Sequence, residues 1–306
     1  MTLAKIVLLA ALSAATSVHA LENVDINTSL SAGYRMDELT WSIATSGIDV
    51  LSELSWDDIE IYQLSGHADM TIHFDSQEAS QLYTELDINY GKIKDGENRD
   101  SDYASSGKNN EFSRSYSDTE DSHVRDYSIG FGLPIPLAET DYFNLTLTPL
   151  IGYSYHAQHI DDTDVRGVIP SSSFTAGDVT SYDTEWEGPW AGVHIQDTTA
   201  DRILAFRFQY HDYDYDAVAD WKLRTDFQHP KSFTHKANGN GYTIKLSYSK
   251  FLTNQLTLDV AIDYKYFETD AGKDKTFFAD GTTSTIKLNE VEWESYAVNV
   301  GATYRL

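Results

Sequence analysis

Residues 210–223 read YHDYDYDAVADWKL and gather His211, Asp212, Asp214, Asp216, Asp220 and Lys222 into one short run. On an extended chain, aspartates two apart share a face at a spacing of about 7 Å. That spacing suits either a divalent cation or an acidic strand face in water. A calcium-binding EF-hand loop needs Gly at its sixth position and Glu at its twelfth. Counted from Asp212 those positions are Ala217 and Leu223, so that loop is excluded. Asp220 and Lys222 have the spacing of a salt-bridged pair on one face. The residues alone predict a solvated acidic face and no resident metal.

The alternation of this run continues along the chain. Leu30, Ala32, Tyr34 and Met36 mark a first strand. Leu54 and Trp56, then Ile59 and Ile61, mark a second, with a change of face at Asp57-Asp58. Eight further segments repeat the pattern, ending with Tyr296, Val298, Val300, Ala302, Tyr304 and Leu306. Period two with apolar residues opposite polar ones is the signature of a strand. Between Tyr210 and Tyr213 the apolar parity moves from even to odd. Either a β-bulge intervenes or the strand leaves the lipid there.

The N-terminus, MTLAKIVLLAALSAATSVHA, has one lysine, an apolar run and Val18-His19-Ala20. This predicts a secretory signal over residues 1–20 and a mature chain over 21–306. The formal net charge is −26, and loss of Lys5 with the signal makes it one unit more negative. Such a chain does not grip nucleic-acid phosphates, and it suits cationic peptides or basic surfaces. Cysteine is absent, which excludes disulfides and thiol chemistry.

A secreted chain of amphipathic strands, ending on an aromatic-bearing strand, predicts a transmembrane β-barrel. The class is all-β: an antiparallel up-and-down barrel of ten strands in the outer membrane of a Gram-negative bacterium. A water-soluble sandwich fits less well, because lipid-type faces recur without a helix between them. The connections LAETDYF, DTTAD and LTNQ are short. Residues 92–122, 160–180, 223–236 and 272–288 read as long polar outer loops. The strands exceed the 9–11 residues a crossing needs, so the barrel extends above the membrane. A diffusion pore is disfavoured, since a ten-stranded lumen filled with charged and aromatic side chains leaves little channel.

The segments LSELSWDDIEI, YGKIKDGENRDS, YDTEWEGPWAGV and RFQYHDYDYDAVADWKL carry a resemblance to the omptin family of surface endopeptidases. The resemblance spans nearly the whole mature chain. It implies two facing dyads that activate a water for attack on a peptide carbonyl. The first dyad falls on Asp95 and Glu97. In the second, Asp220 matches the family's aspartate and Lys222 stands where the family has histidine. Lysine, with a reference pKa near 10.4, is a poor general base at neutral pH. The resemblance also implies dependence on lipopolysaccharide, for which only Tyr153 and Lys236 match.

Two functions remain open on this reading. One is a non-proteolytic, adhesin-type relative whose acidic outer cleft binds cationic peptides or host surface proteins. The other is an active endopeptidase cutting near basic residues. The expected chain is monomeric, delivered by the barrel-assembly machinery, surrounded by outer-membrane lipid and lipopolysaccharide, and without another cofactor.

Overall fold

Strands that present apolar residues outward and polar residues inward have no stable open edge in lipid, so the sheet must close on itself. The structure, a computed structural model, describes residues 23–74, 81–140, 142–173 and 180–306. The expected signal segment lies outside the described residues. Those residues contain fourteen strands and no helix. The strands are β1 (Val24–Thr45), β2 (Ile48–His73), β3 (Gln81–Ser105), β4 (Asn109–Thr119), β5 (His123–Gly132), β6 (Ile135–Glu139) and β7 (Asn144–Ile169). They continue as β8 (Ser171–Ser173), β9 (Thr180–Thr198), β10 (Arg202–Trp221), β11 (Phe233–Phe251), β12 (Leu256–Thr269), β13 (Gly272–Phe277) and β14 (Thr283–Arg305).

All neighbours pair antiparallel, and β14 returns to β1 with Asn27 opposite Arg305 and Tyr34 opposite Val298. β4 and β5 both run between β3 and β7 and form one stave. β12 and β13 likewise form one stave between β11 and β14. β6 and β8 are short additions to β7. The result is a closed ring of ten staves, an outer-membrane barrel.

The outer surface carries an apolar belt that includes Leu30, Phe131, Ile151, Leu246, Ile262 and Val298. A row of tyrosines stands above it. Tyr34 is opposite Tyr62, Tyr210 is opposite Tyr242, and Tyr264 is opposite Tyr296. Amphipathic aromatic rings settle at the headgroup level, so this row marks the outer membrane boundary.

The interior has two layers. At membrane height the lumen is polar and is crossed by ion pairs between distant staves. Arg207 of β10 reaches Glu85 of β3 at 2.7 Å. Lys265 of β12 reaches Asp126 of β5 at 2.7 Å, and Arg35 of β1 meets the same carboxylate at 2.9 Å. Above the tyrosine row the lumen is a packed apolar core. Trp56, Trp186, Trp293, Tyr182, Tyr213 and Phe267 are fully buried there.

This layering settles the parity change near Tyr210. β10 stays in register with β11 from Arg202 to Ala219, with no bulge. Below, even-numbered Leu204, Phe206 and Tyr210 face lipid; above, odd-numbered Tyr213, Tyr215, Ala217 and Ala219 enter the core. The strand has left the membrane, and burial has moved from its outer to its inner face. The change of face in β2 is a true bulge, located by register shifts between Asp57 and Ile61, with Asp58 at φ 53°.

The polar stretches expected as loops are mostly strand. β3 and β4 occupy most of 92–122, β7 continues to Ile169, and β13 and β14 fill most of 272–288. Serine, threonine and aspartate dominate these stretches, and hydroxyls and carboxylates satisfy inward positions that the sequence pattern reserves for apolar residues. Only residues 222–232 form a long described loop.

Candidate functional site

The residues singled out by sequence do not gather at one place. β3 carries one extra residue at Lys94, where Asp95 pairs with Glu60 and Ile93 pairs with Ile61. Below this bulge, odd-numbered Gly91 and Ile93 are buried; above it, even-numbered Gly96 and Asn98 are buried. Asp95 and Glu97 are therefore exposed on the outer face. Glu97 pairs there with Arg166 at 2.8 Å, and Arg166 also meets Asp118 at 3.1 Å.

Asp220 lies on the face of β10 opposite Ala219 and Trp221, both of which pack in the core. It is buried nevertheless, because the loop 222–232 folds over it. His229 Nδ1 sits 2.6 Å from Asp220 Oδ1, and His229 Nε2 lies 3.3 Å from the Arg224 carbonyl oxygen. Lys222 is exposed; the hydrogen bond and charge of His159, with a smaller contribution from Lys222, hold Asp161, an outward residue of β7, below the usual carboxylate range. The Asp220–Lys222 spacing thus yields an Asp220–His229 contact instead. Tyr153 is exposed in the tyrosine row of β7. Lys236 on β11 pairs with Asp216.

The acids that do face inward are others. Asp100 and Asp102 stand on the inner face of β3, near Ser52. Burial, reinforced by Asp102 and Asp162, holds Asp100 well above the usual carboxylate range. Burial also raises Asp162, to about 6, against hydrogen bonds from Thr119 Oγ1 at 2.8 Å, Trp56 Nε1 at 3.0 Å and Thr180 Oγ1 at 3.1 Å. Arg224, from the loop over the barrel mouth, supplies positive charge to Asp100 and Asp102. Asp100-x-Asp102 has the two-residue spacing of an acid pair, so the spacing alone was a usable signal. What hid its direction was the bulge at Lys94, which leaves no mark in the alternation of charged residues from 92 to 97.

Where an open acidic cleft is expected, the lumen holds the aromatic core, and Trp56 and Tyr182 stack at 5.1 Å. Most carboxylates at this height face outward instead. Burial and the negative charges of Asp57, Glu294 and Asp58 push Glu38 up. Tyr264 and Tyr296 both donate to Glu294. In the opening segment Asp214 accepts from Asn238 at 2.7 Å. Among the described residues no set of three histidine, aspartate or glutamate side chains converges to hold a metal.

This architecture has a solved counterpart. The outer membrane protease OmpT from Escherichia coli superposes with a TM-score of 0.66 over 94% of this chain and 98% of that one, at 13% identity. The outer membrane protein OprG from Pseudomonas aeruginosa is matched over 93% of this chain and 96% of that one, at 9% identity and a TM-score of 0.36. At these identities the OmpT likeness shows a shared fold. No curated protein matches the sequence. The model of one family, described as Pom: Protochlamydia outer membrane protein, matches residues 29–306. With nearly the whole barrel covered by that match, the chain belongs to the Pom family of outer membrane proteins.

Proposed function

We propose that this protein is a non-proteolytic outer-membrane barrel whose acidic surface binds cationic ligands, as an adhesin-type relative of the omptin fold. The observation that carries this reading is the divergence of the residues the omptin resemblance singles out. Asp95, Glu97 and Lys222 are exposed on the outer surface, and Asp220 sits beneath its own loop, away from the lumen. A general base must lie within hydrogen-bond reach of its water and its substrate. The space in which two such dyads would face each other is filled by Trp56, Trp186 and Tyr182. The net charge of −26 and the outward carboxylates around Glu38 favour cationic peptides or basic host surfaces as ligands.

A second reading has one observation in its favour. His229 contacts Asp220, so an aspartate–histidine pair exists even though residue 222 is lysine. In an endopeptidase this pair would serve as the base.

One experiment separates the two. The purified protein is incubated with a fluorogenic dibasic peptide, with and without lipopolysaccharide, and binding of the intact peptide is measured across a salt series. The binding reading expects no cleavage and an affinity that falls as salt rises. Cleavage lost in both Asp220→Ala and His229→Ala would establish the peptidase and overturn it. Absence of both cleavage and salt-sensitive binding would remove both readings.

A further inference from the structure

Two histidines meet where the polar lumen gives way to the aromatic core. His156 enters from β7 and His211 from β10, with ring centres 6.3 Å apart. Both side chains are almost wholly buried, at 5% and 1% exposure. In each ring Nδ1 is engaged. His156 Nδ1 lies 3.0 Å from Asp126 Oδ1, and His211 Nδ1 lies 3.2 Å from Ser154 Oγ. In each ring the distal Nε2 is buried and has no hydrogen-bond partner among the described residues. Two buried polar atoms left in this way, on neighbouring rings, call for an occupant that satisfies both.

The Nδ1 partners fix what the free nitrogens can do. The Asp126 carboxylate accepts, so His156 carries its proton on Nδ1 and presents a bare lone pair on Nε2. Donation from His211 Nδ1 to Ser154, which stands 3.3 Å from the Tyr213 hydroxyl, does the same for His211. A second proton on His156 would find no acceptor, and it would stand beside Lys265 and Arg35, which share Asp126. An imidazole held by a second group at one nitrogen and bare at the other is the arrangement in which histidine ligates a metal.

Spacing and charge select the ion. With about 2.0–2.1 Å from nitrogen to metal and about 1.1 Å from nitrogen to ring centre, a linear bridge separates two ring centres by roughly 6.2–6.4 Å, whereas a tetrahedral angle draws them to about 5.2 Å. The observed separation is that of the linear bridge. Zinc takes four ligands, and among the described residues no set of three histidine, aspartate or glutamate side chains converges. No carboxylate is free to offset a dication either. Asp126 is shared by His156, Lys265 and Arg35, and Asp37 is bonded by Arg35 at 2.6 Å. Imidazole suits copper, and monovalent copper accepts two nitrogens in line. It also brings a single charge into a shell of Phe267 and Trp293, whose ring centres are 5.3 and 5.7 Å from that of His156.

The lumen supplies the way in. A cavity of about 290 Å³ is lined by Asn27 and Arg305 near the lower ends of β1 and β14, and by Gln209, Lys265 and His156 at its top. Above it Trp186, Trp293 and Phe267 close the barrel. An ion therefore reaches the two rings from the end of the barrel away from the outer surface.

We propose that His156 and His211 bind one soft monovalent metal ion, Cu(I), between their Nε2 atoms. This site lies inside the barrel, and it does not depend on the ligand proposed above for the acidic surface.

The test uses the full-length barrel in detergent, titrated anaerobically with Cu(I) against a chromogenic Cu(I) chelator, with X-ray absorption to read the coordination. Wild-type protein should take one Cu(I) per chain in a two-coordinate, all-nitrogen site. His156→Ala and His211→Ala should each lose that stoichiometric binding, and His123→Ala, on the outer surface, should keep it. Ser154→Ala leaves both ligands in place but frees the His211 ring, and should weaken binding by about 10–100-fold. If the histidine variants do not fold, Ag(I) added to unmodified, 15N-histidine-labelled barrel gives the same answer by NMR, shifting the Nε2 signals of His156 and His211 and not their Nδ1 signals. Absence of stoichiometric Cu(I) binding, or binding retained in both histidine variants as an adventitious ion only, would overturn the site. Zinc held more tightly than Cu(I) at the same two rings would overturn the monovalent assignment.

Discussion

The imidazole of His229 contacts the carboxylate of Asp220 at 2.6 Å, nine residues back along the chain, and so fastens the loop 222–232 to the end of β10. The loop has backbone anchors as well: Ser232 N bonds the Ala219 carbonyl at 2.7 Å, Phe277 N the Ser232 carbonyl at 2.8 Å and Ala279 N the Asp226 carbonyl at 2.9 Å. Trp221 N bonds Ser232 Oγ at 2.8 Å and Gln228 N bonds the Phe277 carbonyl at 2.9 Å. His229→Ala leaves the buried Asp220 carboxylate without its ring partner, a loss of about 1–3 kcal/mol for a buried group. Trypsin should then cut faster after Lys222, Arg224 or Lys231, while the barrel keeps its heat-modifiable migration on a gel. An unchanged cutting rate would mean that the loop is held by its backbone contacts alone.

Asp162 links the core to pH. Its folded pKa of about 6 lies above the ordinary aspartate value of 3.8. Between these values the folded state binds the proton and the unfolded state has released it, so stability falls as pH rises through that window. The full effect is at most about 3 kcal/mol, present below the lower value and gone above the upper one. Burial raises Asp100 in the same sense. The thermal midpoint of the folded barrel should therefore drop between about pH 4 and pH 6, and Asp162→Asn should flatten that slope. A slope of the same size in Asp162→Asn would place its origin elsewhere.

Much of this barrel was legible in the sequence, because the lipid-facing half of each stave obeys one rule. Leu204, Phe206 and Tyr210, or Tyr296, Val298 and Val300, must alternate apolar and outward, and they do so without exception for packing. The upper half follows no single rule. There the inner face mixes Trp186 and Tyr213 with Asp162, Thr119 and Ser52, since a closed core accepts polar groups whenever their partners are also inside. For the same reason strand 92–105 looked like a loop. The candidate site failed on direction. One extra residue at Lys94 turns Asp95 and Glu97 outward, and a two-residue period gives no warning of a single insertion. The pairing of His229 with Asp220 could not be read from strand spacing, because a loop brings the ring there.

Trp190 occupies a slot that two glycines keep open. A Cβ on Gly152 would stand 2.3 Å from Trp190 Cζ2 and 2.2 Å from the Ile129 carbonyl oxygen, and one on Gly130 would stand 2.7 Å from the same ring. The indole donates to Ser128 Oγ at 3.1 Å, so it has no free direction in which to retreat. Gly152→Ala should cost about 1–3 kcal/mol through overpacking. Gly66→Ala, with nothing within 4 Å of its added methyl, is the control. Unfolding in urea should separate the two variants; equal midpoints would mean that the slot relaxes freely.

Val300 tests the lipid-facing assignment of the closing seam. It is exposed, and it pairs with Ala32 of β1 and Val260 of β12, both outward on their own strands. Its neighbour Asn299 points inward, accepting from Gln63 at 2.7 Å and donating to Asp263 at 2.8 Å. Val300→Arg places a charge against hydrocarbon, at a cost of roughly 2–4 kcal/mol near the bilayer midplane that fades towards the interfaces. Folding into vesicles should therefore fall sharply in lipids with long acyl chains and recover in short-chain lipids, where the boundary approaches residue 300. Asn299→Leu should also weaken the barrel, because it strips hydrogen bonds from Gln63 and Asp263. Its loss arises inside the lumen, so it should be the same in both lipids. Identical chain-length dependence for the two variants would show that Val300 does not face lipid, and the seam between β14 and β1 would have to be redrawn.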